Sequence, residues 1–312
     1  MPFPTRLTGL AAAAVLASVL VGCSGSDEPQ PAGNASPTAE ESSATEKPSK
    51  SPSPSTSPSE TATEMPTQEP EASGSTVPAY FVGDTPQGPR LFREFQRVGG
   101  DPLLSAARLV AGGTPLDPDY RTLWPGVEIE SVQPTDGLLL VTLADDGFTS
   151  RPDGMSELDA RTALQQMVYT LQGVQQERVP VQFHRPAGPA RLFGVDIKQP
   201  TGQANPMDVL SMVQLTTPEQ GATVTGDILE VSGVASSFEA NVPWEVRRGN
   251  EVVLDGFTTA KGWMNKLYPF SASVDVSSLE PGDYTFVAMT DDPSGGAEGG
   301  GPTEDTRDFT LR

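Results

Sequence analysis

Residues 156–174, SELDARTALQQMVYTLQGV, form the stretch that decides how the first half of the chain folds. Ser156, followed three residues later by Asp159, resembles a capping box at the start of a helix. Apolar residues then recur at helical spacing: Ala160, Leu164, Met167, Val168 and Leu171. Gly173 is expected to end the segment, because glycine commonly follows the last helical turn. The stretch therefore predicts an amphipathic helix.

The segments around this helix predict several strands and one further helix. Strands are expected at 77–82, 90–98, 127–132, 138–143 and 179–183, and Asp136-Gly137 is expected to turn the chain between the third and the fourth. The further helix is expected to begin at Asp101-Pro102, which have the residue types of an N-cap and a first helical position. Its apolar residues form one face, and Gly112-Gly113 is expected to end it. Strands and helices mixed in this order favour a two-layer α/β sandwich over residues 76–206.

The same region resembles a known family. The residues that carry the resemblance lie at 80–82, 93–95, 103–112, 124–126 and 167–171. They follow the pattern of the GerMN domain of sporulation and spore germination proteins. The resemblance implies a binding module similar to domains that build rings or scaffolds in the cell envelope, and not an enzyme. In actinobacteria the family also occurs in lipoproteins that associate with sensor kinases. One departure is His184-Arg185-Pro186, where the family has a small glycine-bearing turn.

The second half of the chain, residues 213–312, predicts an all-β domain. Seven short alternating segments lie at 213–215, 228–231, 244–247, 252–254, 270–276, 284–289 and 309–311. That number of strands in about 100 residues is typical of an immunoglobulin-like sandwich. Tyr284 follows Pro281-Gly282, which predicts a tyrosine corner, and Trp244 is a candidate for the core between the sheets. The fold class expected for the whole chain is therefore α+β.

This half is similar to the immunoglobulin-like domain of bacterial spore germination. The matching residues lie at 217–218, 221, 231–233, 235, 238–242, 256–257, 270, 281–282 and 292–295. Among proteins of the two families that the chain resembles, an immunoglobulin-like domain that follows a GerMN domain is a known arrangement. The family label does not show that the source organism makes spores.

The N-terminus has the pattern of a secretory signal over residues 1–22. Arg6 precedes an apolar stretch from Leu10 to Val21 that is shorter than the ~18–20 residues of a transmembrane helix. Leu20, Val21 and Gly22 precede Cys23, the chain's one cysteine, and together match the bacterial lipobox. The resemblance implies a diacylglycerol group on Cys23, which would hold the protein on the extracytoplasmic face of the cell membrane. The alternative is an ordinary cleaved signal with an incidental cysteine.

Residues 23–75 predict a disordered stalk. They are rich in Ser, Thr, Pro and Glu and almost free of apolar side chains, so they cannot bury enough surface to offset chain entropy. Spaced prolines favour extended conformations, and the stretch can also carry O-linked sugars. We expect the stalk to hold the folded domains away from the membrane.

Composition and residue types exclude several classes of function. The net charge is −21, from 41 acidic and 20 basic residues, which argues against nucleic-acid binding. His184 is the single histidine, so no zinc site and no catalytic triad is indicated, and no cofactor is expected. The acid pairs Asp145-Asp146 and Asp291-Asp292 adjoin glycine or proline, which favours turns over calcium binding or acid–base catalysis.

One polar and aromatic cluster in the second domain is a candidate ligand edge: Phe238, Glu239, Asn241 and Trp263. In this interpretation, Glu239 and Trp263 supply polar and stacking contacts. The alternative is a simple strand connection in which Asn241 makes a local turn bond.

The sequence favours a non-catalytic binding or scaffold protein of the cell envelope, with an envelope protein or the cell wall as partner. The competing hypothesis is an enzyme or accessory factor acting on cell-wall polymers, which would need convergent carboxylates. A solute-binding lipoprotein is a third class, but it would need two larger lobes and a hinge.

Overall fold

The computed structural model describes residues 74–188, 190–297 and 300–312. The signal segment, the lipobox with Cys23 and residues 24–73 of the predicted stalk lie outside the described residues. Two positions assigned to the stalk, Gly74 and Ser75, belong instead to the first strand, where they pair with Gly99 and Val98.

The first domain has the α+β organisation that the sequence predicts. Strands β1 (Gly74–Thr85) and β2 (Gly88–Gly99) form a long antiparallel hairpin. A second sheet has the order β3 (Ile129–Thr135), β4 (Leu138–Leu143), β5 (Val181–His184), with β4 and β5 parallel. Helices α1 (Pro102–Gly112) and α2 (Glu157–Gln175) pack on each other and on β1. A short pair, β6 (Arg191–Leu192) and β7 (Val195–Asp196), follows.

Both long helices begin as the sequence predicts. The Asp101 side chain accepts a hydrogen bond from the Leu104 N–H, and Pro102 occupies the first turn of α1. At α2 the Ser156 hydroxyl accepts from the Asp159 N–H at 3.0 Å, while the Asp159 carboxylate accepts from the Ser156 N–H. These caps pair backbone groups that a helix start leaves without partners.

The predicted end of α2 is wrong. The helix continues through Gly173 to Gln175, and Gln176 provides the left-handed cap with φ of 58°. Gly173 has a packing role, because a Cβ at this position would lie 2.8 Å from the Cγ of Pro78 on β1. The absent side chain is therefore what lets α2 approach the hairpin closely.

The second domain is a sandwich of two sheets. The smaller sheet has the order β13 (Tyr268–Asp275), β10 (Ile228–Ala235), β8 (Val213–Thr217). The larger sheet has the order β12 (Glu251–Thr259), β11 (Asn241–Arg248), β14 (Gly282–Met289), β15 (Glu304–Leu311), β9 (Ala222–Val224). The seven predicted strands fall within or overlap these elements. The sequence missed β9, a three-residue edge strand parallel to β15.

Two predicted details of the sandwich core are present. The Tyr284 hydroxyl donates to the Glu280 carbonyl at 2.6 Å, which is the tyrosine corner. Trp244 packs against the core with its ring 5.9 Å from that of Phe286, and it covers Gly256, where a Cβ would lie 2.4 Å from the indole. Trp244 is only partly buried, because it lies near the edge strand β12.

The connection between the domains is structured. Helix α3 (Pro206–Val209) leads into Leu210, which bridges to Leu91 on β2, and the Ser211 N–H donates to the Leu91 carbonyl at 2.9 Å. Leu210, Leu91, Val82 and Tyr169 form a small apolar cluster at the junction. The two domains therefore meet through packed side chains as well as through the chain itself.

Candidate functional site

A cluster of charged and polar side chains is buried where the two domains meet. Arg307 on β15 is 4% exposed and donates to the Asp117 carboxylate of the first domain at 2.7 Å. The same nitrogen donates to Asp305 at 3.1 Å and to the Tyr120 hydroxyl oxygen at 2.9 Å. Asp305 accepts a further hydrogen bond from the Tyr120 hydroxyl and one from the Leu215 N–H at 2.5 Å. We call Asp117, Tyr120, Asp305 and Arg307 the interdomain cluster.

The interdomain cluster carries two carboxylates against one guanidinium. Burial raises the pKa of Asp117 to about 6, although Arg307 opposes the shift, and burial also raises the pKa of Asp305. Burial alone would lower the pKa of Arg307, but the carboxylates around it raise that pKa above its usual value. Arg307 therefore stays charged, and any proton that the cluster takes up goes to a carboxylate.

A second polar contact joins the domains at the tip of the β1–β2 hairpin. The Gln87 side chain donates to the Gly301 carbonyl at 3.1 Å and accepts from the Thr303 hydroxyl at 2.9 Å. Together with the interdomain cluster and the apolar junction, this contact restrains the first domain at three separate places. Separate domains in one chain commonly move relative to each other, and these three contacts oppose such movement.

A groove of about 390 Å³ runs along the junction, and we call it the interdomain groove. Its first-domain wall includes Tyr80 and Tyr169, whose ring centroids lie 5.4 Å apart, while its second-domain wall includes Lys266 and Leu267. The Tyr169 hydroxyl donates to the Ala204 carbonyl at 2.7 Å, which fixes this ring. Burial raises the pKa of both tyrosines, so they remain neutral donors. Ligand sites are commonly concave and often lie at domain junctions.

The groove is unusual in this acidic chain because its charged side chains are mainly basic. Arg93, Arg178 and Lys266 line it, against the single acid Glu177. Within the described residues, none of the three cations lies within ion-pair distance of a carboxylate. Arg93 instead lies over the Phe95 ring at 4.9 Å, and Lys266 lies over the Tyr268 ring at 4.9 Å.

Two buried polar atoms on the groove wall lack hydrogen-bond partners in the described part of the protein. They are the Nε of Arg93 and the Oε1 of Gln172. The Gln172 side chain is buried, with 6% exposed, and its amide nitrogen donates a hydrogen bond to the Val179 carbonyl at 2.8 Å. An unpaired buried polar atom costs about 1–3 kcal/mol, so a group that paired with either atom would recover part of that cost.

Another concavity, of about 600 Å³, lies on the first domain beside the start of α2. Arg151 and Arg161 line it, but both are paired with Glu157, Arg161 at 2.8 Å and Arg151 at 4.0 Å. Arg191 lines it as well, and with Asp196 its lining holds three cations against two carboxylates, so it is a weaker anion site than the interdomain groove, which holds three cations against one.

The structure brings only part of the predicted ligand edge together. Phe238 and Trp263 form an exposed edge-to-face pair with ring centroids 5.3 Å apart, 42% and 37% exposed respectively. Glu239 lies in a 3₁₀ turn (Phe238–Ala240) with a left-handed φ of 51°. The Asn241 amide donates to Asp291 at 2.9 Å, so this side chain ties two loops together. The edge is thus an exposed aromatic pair beside a structural asparagine, and Phe238 also lines a concavity of about 230 Å³.

One acid of each pair forms a turn, as the sequence favours, whereas the other acids, Asp146 and Asp291, bind groups of distant segments. Asp145 accepts from the Gly147 N–H, and Asp146 accepts from the Ala187 N–H. Asp292 accepts from the Ser294 and Gly296 N–H groups, which folds the loop before β15. In the described ranges no group of three or more metal-ligating side chains converges. His184 ends β5 with its side chain exposed.

None of the helices in the described ranges has the length and apolar character required to cross a bilayer.

Sequence reasoning missed both the interdomain cluster and the interdomain groove. Asp117 and Arg307 are 190 residues apart, and no local pattern links them. One signal was available in the spacing of β15. Asp305, Arg307, Phe309 and Leu311 are two residues apart in turn, so all four lie on the same face of the strand, the face that turns into the sandwich.

Two protein families match the chain. Residues 78–184 match the family described as sporulation and spore germination. Residues 212–297 match the immunoglobulin-like domain of bacterial spore germination. No curated protein matches the sequence.

Solved structures align only distantly. The tandem GerMN domains of the sporulation protein GerM from Bacillus subtilis align with a TM-score of 0.31 and 13% identity, over 65% of this chain and 62% of that one. Fibronectin(III)-like modules of CbhA from Clostridium thermocellum align with a TM-score of 0.22 and 17% identity, over 32% and 94%. An engineered protein aligns with a TM-score of 0.26 and 14% identity, over 48% and 36%.

The chain spans less than two thirds of the engineered protein and of the tandem GerMN structure. At these TM-scores the structural alignments carry no argument about function. The family matches cover most of each domain and agree with the α+β domain and the β-sandwich described above. Residues 78–184 therefore resemble the sporulation and spore germination family, and residues 212–297, which follow them, resemble the immunoglobulin-like domain of bacterial spore germination.

Proposed function

We propose that this protein is a lipid-anchored, extracytoplasmic binding protein of the cell envelope that works without catalysis, in germination-related or signalling assemblies. The observation that carries the proposal is the interdomain cluster, which joins two germination-related domains through a buried guanidinium. A protein that presents surfaces from two domains in a fixed relation is suited to hold a partner.

Fixed domains favour binding for an energetic reason. Association costs free energy when mobile parts become ordered, and a preorganised surface avoids part of that cost. Arg307, Asp305 and Tyr120 cross-link the domains before any partner arrives. The groove walls are therefore already in place when a partner is met.

The anchor is proposed from the sequence. Cys23 follows an apolar leader and a matching Leu20-Val21-Gly22, and it is the one cysteine of the chain. Each buried acyl methylene contributes about 0.8 kcal/mol, so two or three chains hold a protein on a bilayer durably. The Ser/Thr/Pro-rich residues after Cys23 would then separate the domains from the lipid surface.

The test of the anchor compares the wild-type protein with the Cys23→Ser variant in cells fed an alkyne fatty acid. We expect label and membrane fractionation for the wild type, with both lost in the variant. An unlabelled wild-type protein, or one that fractionates with the cytosol, would refute the anchor.

The test of a binding role is crosslinking in cells followed by mass spectrometry. We expect envelope proteins or wall fragments to be recovered with the wild type, and the non-catalytic part of the proposal predicts that purified protein leaves peptidoglycan intact. Release of soluble fragments from peptidoglycan would favour a wall-acting enzyme instead.

A further inference from the structure

We propose that the interdomain groove binds the free carboxylate end of a short peptide. The inference rests on the binding role proposed above and names the ligand class for one site. Charge, amide chemistry and size each support it.

The charge of the groove selects an anion. The chain has a net charge of −21, yet Arg93, Arg178 and Lys266 meet around one concavity with only Glu177 beside them. The chain contains five lysines, and Lys266 is the one that lines the groove. No described carboxylate pairs with the three cations. Arg93 already donates to the Thr216 hydroxyl at 3.3 Å, so the exposed Arg178 and Lys266 are the two that are available to a ligand. Guanidinium and ammonium groups bind carboxylates through charge-assisted hydrogen bonds.

The remaining polar wall favours a peptide over a simple ion. Four glutamines line the groove: Gln172, Gln176, Gln203 and Gln214. A primary amide both donates and accepts, which matches the alternating N–H and C=O groups of a peptide backbone. The amide nitrogens of Gln172 and Gln214 already donate to backbone carbonyls, so these two side chains offer a ligand N–H their acceptor oxygens, of which the Oε1 of Gln172 has no donor among the described residues.

Size and shape fit a short segment. A volume of about 390 Å³ lies at the lower end of ordinary ligand sites and suits roughly three residues. The tilted rings of Tyr80 and Tyr169 give the groove one apolar wall, on which a small aliphatic side chain can pack. A peptide carboxylate could come from the C-terminus of an envelope protein or from a wall peptide that ends in D-alanine.

The experiment measures peptide binding to the purified full-length protein by NMR titration. The probes are acetyl-trialanine with a free carboxylate, the same peptide as its C-terminal amide, and a diacetylated L-lysyl-D-alanyl-D-alanine. We expect saturable binding of the free acids, with at least tenfold weaker binding of the amide. A preference between the L- and D-ended acids identifies the source of the natural ligand.

Matched variants locate the binding. Lys266→Gln and Arg178→Gln are exposed substitutions that should each weaken binding of the free acid about tenfold, as expected for a lost charged contact. Lys261→Gln makes the same charge change in the same loop outside the groove, so it should leave binding unchanged.

Three results would overturn the proposal: no binding of either acid at concentrations on the order of 10 mM, equal binding of acid and amide, or equal effects of Lys266→Gln and Lys261→Gln. These results concern the ligand class alone. They differ from loss of acylation or of all crosslinked partners, which would instead overturn the proposed envelope function.

Discussion

Replacing Arg307 with leucine should lower the free energy of unfolding by about 3–5 kcal/mol at pH 7, because breaking a buried ion pair leaves its other members uncompensated. The structure supports the upper part of this range. Asp117 and Asp305 both bind the same Arg307 nitrogen, at 2.7 and 3.1 Å, and the side chains of all three residues are 4% exposed or less. In the variant, two buried carboxylates would face each other across the space that the guanidinium leaves.

The assay is urea unfolding followed by the fluorescence of the three tryptophans, of which Trp124 reports the first domain. We expect the two domains of Arg307→Leu to unfold in separate transitions, since their shared cluster is gone. The destabilisation should shrink toward pH 4, because protonated carboxyls no longer repel each other. Arg247→Leu is the control: Arg247 lies on β11 with its side chain 28% exposed, and partly exposed ion pairs contribute about 0–1 kcal/mol. Equal losses in the two variants would refute the reasoning.

Three further outcomes follow from the packing and the cluster. Gly173→Ala should lower the free energy of unfolding by about 1–3 kcal/mol, because the added Cβ would crowd Pro78. Gly112→Ala is the control: a Cβ there would lie 3.5 Å from its nearest neighbour, so thermal unfolding should show a neutral or slightly stabilising effect. Tyr284→Phe should cost about 1 kcal/mol in urea unfolding by removing the hydroxyl bond to Glu280. Asp117, whose pKa is raised to about 6 when folded, contributes stability that is complete below pH 4 and lost as the pH rises through 6. Asp117→Asn should therefore flatten the wild-type stability profile between pH 4 and 7, and an unchanged slope would contradict the assignment.

The elements that the sequence predicts well depend on local chemistry. The caps of α1 and α2, the Asp136-Gly137 hairpin and the tyrosine corner involve residues within a few positions of each other, so their patterns can be read from the chain. Gly173 shows the limit of local reading. A glycine after an apolar run resembles a helix end, but its actual role depends on a proline that lies 95 positions earlier in the sequence.

The candidate site could not be predicted because it depends on how the domains dock. Residues 305–308 read as a polar segment, since aspartate and arginine are rarely buried, and only 309–311 was predicted as strand. Burial of Arg307 becomes evident once Asp117 and Tyr120 are placed against it. Phe238 and Trp263 were both assigned to the candidate ligand edge, and they do lie together as an aromatic pair, while the ligand role stays a prediction.

The distance between spin labels in the two domains tests most directly whether they form one body. Nitroxides on Ser150→Cys and Ser278→Cys, both exposed positions, in a Cys23→Ser background would report that distance by pulsed electron resonance. A single narrow distribution that broadens on Arg307→Leu is the predicted result. A broad or multiple distribution with Arg307 intact would contradict the account, since the domains would then move independently.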